Sequence, residues 1–175
     1  MNPWNLTESA LHEPWRLWTS HLAHHGWRHA ADNSLALLIP LLLLSWRQRG
    51  QLLLWLLILS PLLGLALLPW LEGGSFEGLS GLACAAWAYV GLRLSLKEDS
   101  FALGAAMLGL LALKFMVEAM TGCGLLAHAG RWQNPTAAHF LGTLLGLMAG
   151  GLDATLLRLR HRAQMGLRRL VLVLR

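Results

Sequence analysis

At 175 residues, 55% of them hydrophobic and only 13% charged, the chain falls well short of the about 25% charged residues that a soluble domain carries. A mean hydropathy of +0.50 and repeated apolar runs long enough to cross a bilayer exclude a water-soluble enzyme and leave no room for a separate soluble domain. The formal charge of +5 would suit nucleic acid, but the basic residues follow a membrane pattern instead, so no nucleic-acid partner is expected.

Residues 1–28 come first. The opening "MNPWNLTESALHEPWRLWTS" lacks both the basic start and the apolar run of a signal peptide, and this stretch is expected to be an external segment and loop. Five apolar segments follow, at about 30–46, 52–71, 79–96, 101–121 and 136–157, each of spanning length. They predict an all-α, polytopic membrane helix bundle with five spanning helices and a core over 29–157. Residues 158–175, "RLRHRAQMGLRRLVLVLR", alternate basic and apolar groups and predict an amphipathic tail on anionic lipid.

Charge sets the orientation. Arg47, Arg49, Arg93, Lys97, Arg158, Arg160, Arg162, Arg168, Arg169 and Arg175 follow the first, third and fifth segments, whereas Arg16, Arg28 and Arg131 lie on the other side. Ten against three makes 47–51, 93–100 and the C-terminal tail cytoplasmic, and turns the loops at 72–78 and 122–135 outward. Trp4, Trp15, Trp18, Trp27, Trp70 and Trp132 fall near the outer boundaries as an interfacial belt. With residues 1–28 outside and no helix ahead of them, the expectation is that either this short stretch crosses the membrane alone or the natural product begins upstream with a first helix.

Polar groups inside spanning helices cost about 2.5–3.5 kcal/mol each for Asp, Lys or Arg on insertion scales, so each needs a partner or a function. In "HLAHHGWRHAADN", His25, His29 and Asn33 are spaced four apart, on one helix face. Such histidines can hold zinc, but no HExxH accompanies them and Asp32 is the only nearby carboxylate, so no metal is expected. Ser80 lies in "GLSG" at the start of the third segment, and His139 lies in "NPTAAHFLGTLLG" near the outer end of the last. Each has a plain packing explanation when taken alone. Together they fall at one depth, and two small-residue stripes, Ser80-Cys84-Ala88 and Ala138-Gly142-Gly146-Gly150, would let their helices approach closely. A serine beside a base suggests acyl transfer, with N–H donors of His29, Asn33 and the Ser80 amide available to an oxyanion. No Asp is placed to orient His139, which predicts a Ser-His dyad. Lys114 and Glu118, four apart on the fourth segment, predict an intramembrane ion pair. Cys84 and Cys123 have no metal spacing and are expected to be unpaired packing thiols.

Four motifs occur in order: "PWRLW" at 14–18; His24, His29 and Asn33 as His-x4-His-x3-Asn; "GLSG" at 78–81; and "AHFLG" at 138–142. In these the chain resembles the rhomboid family of intramembrane serine proteases, from about Glu13 to Leu157. "KFMVEAMTG" and "AHFLG" further resemble the bacterial rhombosortase subgroup. The resemblance implies Ser80 as nucleophile, His139 as general base, and His29, Asn33 and the Ser80 amide as the oxyanion hole. It also implies structural roles near the site for His24, Gly78, Gly81 and Gly142, and no cofactor. The implied substrates are membrane-anchored proteins with a small-residue or Gly-Gly cleavage region, above all a Gly-Gly C-terminal sorting signal. The implied setting is the bacterial inner membrane, with the active site towards the periplasm and the C-terminus in the cytoplasm. A catalytically silent client-binding membrane protein and a histidine-cluster metal-binding protein are the alternatives.

Overall fold

The computed structural model describes residues 2–122 and 135–173, with the side chains of Pro135, His161 and 166–173 left aside. Cys123, Arg131, Trp132, Arg175 and most of the predicted loop 122–135 lie outside the described residues. The described elements are α-helices α1 (Arg16–Thr19), α2 (Trp27–Leu42), α3 (Trp46–Leu67), α4 (Ser80–Ser95), α5 (Phe101–Thr121) and α6 (Pro135–Val173), with short 3₁₀ turns at Glu8–Leu11, Leu68–Trp70 and Glu98–Ser100. The fold is an all-α helix bundle, and no strand occurs among the described residues. Trp46–Trp70, Glu98–Thr121 and Thr136–Met165 are long and apolar enough to cross a membrane.

The short helix α4 is the hub. It packs most extensively on α6, then on α5, α2 and α3, and Gly81 through Ala86 and Ala88 through Gly91 are all buried. Small residues make this possible, because they expose helix backbone for direct contact where apolar lipid gives no hydrophobic drive. At Gly142 and Gly146 any Cβ would overlap the carbonyls of Gly81 and Ala85 respectively. The α6 stripe therefore does face α4, but the row that meets it is Gly81-Ala85-Tyr89. The predicted mate, Ser80-Cys84-Ala88, lies about 100° around the helix. There Cys84 and Ala88 pack with Leu111 and Phe115 of α5 and Leu147 of α6. A helix of sixteen residues spans about 24 Å, less than the roughly 30 Å of bilayer hydrocarbon. By length α4, expected at 79–96 as a spanning segment, therefore falls short of a full crossing.

Two helix boundaries differ from expectation. The stretch 47–51, predicted as a loop, is the first turn of α3, because Ser45 and Gln48 form a capping box that starts the helix early. Arg49 then reaches back, its Nε donating to the carbonyls of Leu41 and Leu44 at 2.9 Å each, and satisfies the carbonyls freed where α2 ends. The tail from 158 onward continues α6 without a break to Val173. At 39 residues, α6 is about 58 Å long, so its last turns extend past any bilayer.

The N-terminal segment is packed, not trailing. Leu6 and Phe76 exchange backbone hydrogen bonds of 2.8 and 2.9 Å, and both are buried. Arg16 pairs with Glu13 at 2.5 Å and donates to the Asn5 carbonyl at 2.8 Å. Trp18 Nε1 donates to the Leu57 carbonyl of α3 at 3.2 Å. Trp4, Trp15, Trp18, Trp27 and Trp70 all keep exposed rings.

Candidate active site

The loop before α4 sets the position of Ser80. Gly78 has a φ of 129°, a region that only glycine occupies without strain, and its amide donates to the Ser20 carbonyl at 2.9 Å. A Cβ built on Gly78 would stand 3.0 and 3.4 Å from ring atoms of His29 and 3.6 Å from Asn33 Nδ2. The two α2 side chains therefore lie against the backbone just ahead of the serine. Asn33 is buried, and its Nδ2 finds no hydrogen-bond partner among the described residues. A buried N–H left unpaired costs about 1–3 kcal/mol, and Ser20 Oγ, His21 Nδ1 and His24 Nε2 of the preceding segment are likewise buried without a partner among the described residues. Ser80, the first residue of α4, is half-buried. As its amide opens a helix, it has no intrahelical acceptor.

On α6, His139 is buried at 2% exposure. It stands beside the α4–α6 crossing, where Gly81 touches the Ala138 carbonyl region and Gly142 touches Gly81. Ser80 and His139 thus flank one helix crossing, but among the described residues no hydrogen bond joins them. Catalytic hydrogen bonds are often long before substrate binds.

The His139 ring has a partner that the dyad expectation omitted. Its Nδ1 lies 3.0 and 3.1 Å from the two Glu118 carboxylate oxygens and 2.8 Å from Lys114 Nζ. Lys114 and Glu118 are themselves paired, as their i, i+4 spacing predicts. The spacing carried no sign that this pair also meets the histidine, since Glu118 and His139 lie 21 residues apart on different helices.

The histidines of the loop before α2 are held individually. His24 Nδ1 donates to the Leu22 carbonyl at 3.0 Å, with its ring edge-on to His29 at 5.2 Å. His25 Nδ1 pairs with buried Glu77 at 2.5 Å. His21, for which the residue pattern suggested no role, is buried, with Nε2 3.0 Å from the Ser60 carbonyl. Burial holds its pKa below the ordinary histidine value, against the raising effect of its hydrogen bond to the Ser60 carbonyl. Among the described residues, no three His, Cys, Asp or Glu side chains are grouped to hold a metal ion. Cys84 is buried and free.

The family model for the Rhomboid domain matches residues 11–155. The chain belongs to the rhomboid family. Rhomboids are serine intramembrane proteases that act on membrane proteins within the bilayer, so this rhomboid is an integral membrane protein of that class. No curated protein matches the chain.

Proposed function

We propose that this rhomboid cleaves membrane-anchored proteins near the outer face, with Ser80 as nucleophile and His139 as general base. The observation that carries the reading is the crossing at which Gly142 packs on the backbone of Gly81, because it sets the residues on either side, Ser80 and His139, at one level of the bundle. Ser80 Oγ attacks the scissile carbonyl as His139 takes its proton. The resulting acyl-enzyme passes to water or another acceptor. His29, Asn33 and the Ser80 amide receive the oxyanion, a role supported by the unpartnered Asn33 Nδ2. His24 holds the loop beside them.

The charge split orients this site towards the periplasm of a bacterial inner membrane, with the C-terminus cytoplasmic. The preferred substrate is a Gly-Gly C-terminal sorting signal. Its support is the rhombosortase-like "KFMVEAMTG" and "AHFLG", together with the ease of unwinding glycine, which costs about 1 kcal/mol per residue against alanine in a helix.

A membrane-anchored reporter bearing such a signal, co-expressed with the protein, tests this directly. Wild type releases the reporter domain, and Ser80→Ala and His139→Ala each lower release by more than about 1000-fold. Release that survives Ser80→Ala overturns the assignment. Reporter that is bound but intact with wild type indicates a client-binding protein, and loss on chelation points to a metal.

A further inference from the structure

We propose that Glu118 is a positioning residue for His139, so that the site works as a Ser80–His139–Glu118 relay with Lys114 as the counter-charge. The inference rests on the reading of Ser80 and His139 given above. The contacts admit two proton arrangements. If Lys114 donated to Nδ1, the ring proton would sit on Nε2, and that nitrogen could not accept from a serine. If Nδ1–H donates to Glu118, Nε2 is left as the base, and Lys114 donates to the same carboxylate. In the first arrangement the lone pair of Nδ1 would also face both carboxylate oxygens, whereas in the second Nδ1–H and the Lys114 ammonium are two donors that converge on one acceptor, the Glu118 carboxylate, which offsets their close approach to each other. Glu118 is 1% exposed, so its carboxylate acts in a medium that screens it little. When His139 takes the Ser80 proton, the imidazolium formed is offset by the carboxylate on its other nitrogen. Among the described residues, the Cys84 thiol on α4 lies within reach of the Lys114 and Glu118 charges, and His29 on α2 lies beside Gly78, two residues ahead of Ser80.

The alternative role for Glu118 is merely to neutralise Lys114 inside the bundle. A fluorophosphonate probe distinguishes the two, because it needs no natural substrate: Ser80 Oγ bonds to phosphorus, fluoride leaves, and the serine proton goes to His139. The labelling rate is measured against pH in the full chain, in detergent, together with thermal stability. Glu118→Gln lowers the rate about 100-fold or more and moves the acid limb of the profile to lower pH, and Glu118→Asp recovers part of the rate. The double variant Lys114→Met/Glu118→Gln leaves no unpaired buried charge. It regains thermal stability yet labels as slowly as Glu118→Gln. A double variant that labels at the wild-type rate with the wild-type profile overturns the proposal. Ser80→Ala separates the layers: label that persists there refutes the nucleophile assignment, whereas label confined to Ser80 with an unchanged Glu118→Gln profile refutes only the role of Glu118.

Discussion

Glu118 and Asp153 are both nearly fully buried, at 1% and 2% exposure, and both meet a cation, yet their surroundings differ in kind. Asp153, towards the far end of the α4–α6 pair, accepts from Tyr89 Oη at 2.6 Å, from Gln51 and from Arg93. Arg93 also donates to Tyr89 at 3.4 Å. Residues of α3, α4 and α6 are tied into one closed knot in which each named donor has the carboxylate or its neighbour as acceptor. At the Ser80 end the carboxylate shares itself between a lysine and a histidine, the serine is half-open, and an amide donor nearby goes unused. A bundle can afford one polar cluster that only holds helices together. The second cluster, left incomplete, is the one to which the proposed reaction is assigned.

Breaking the closed knot should cost stability and spare chemistry. Asp153→Ala leaves Arg93 without its carboxylate inside the bundle, and loss of one partner of a buried pair costs about 3–5 kcal/mol. The expected outcome is a large drop in thermal stability in detergent, with probe labelling per folded molecule unchanged. A fall in labelling equal to that of the His139 variant would erase the distinction between the two ends.

Asn33→Ala probes the open end in the opposite sense. If Asn33 donates to the oxyanion as proposed, its removal lowers turnover by roughly 10- to 1000-fold and leaves the melting temperature close to wild type, because Asn33 Nδ2 has no partner among the described residues. An unchanged rate of reporter release would remove Asn33 from the site.

A smaller effect is expected between the ends. Gly146→Ala puts a methyl into the Ala85 carbonyl and should destabilise by about 1–3 kcal/mol through overpacking. The rate of labelling should fall less than in Asn33→Ala, since the clash lies about one helical turn from the Gly142–Gly81 contact. Thermal melts compared with labelling rates check both halves of that expectation.

Much of this contrast is legible in the residues alone. The long helices, the α6 glycine stripe and the candidacy of Ser80, His139, His29 and Asn33 all follow from local signals: apolar length, small residues four apart, and motifs of a few residues. What escaped was set by geometry across helices. The partner row on α4 is one residue out of the predicted register, because which face of a helix rich in small residues meets α6 depends on packing that α4's own sequence hardly distinguishes. Lys114 and Glu118 announced their pairing through their spacing, but their contact with His139 depends on the rotation of α5 against α6. Asp153, Gln51, Tyr89 and Arg93 come from three helices, with no spacing to link them. The early start of α3 had a visible signal in Ser45 and Gln48, masked by the basic residues around them.

The most direct test of the central claim is the mass of the labelled peptide after wild-type protein reacts with a fluorophosphonate probe. The adduct is predicted on Ser80 within 76–87 and is predicted to vanish in His139→Ala at matched abundance. An adduct on any other residue, or one on Ser80 that forms equally fast without His139, would contradict a serine nucleophile activated by that histidine.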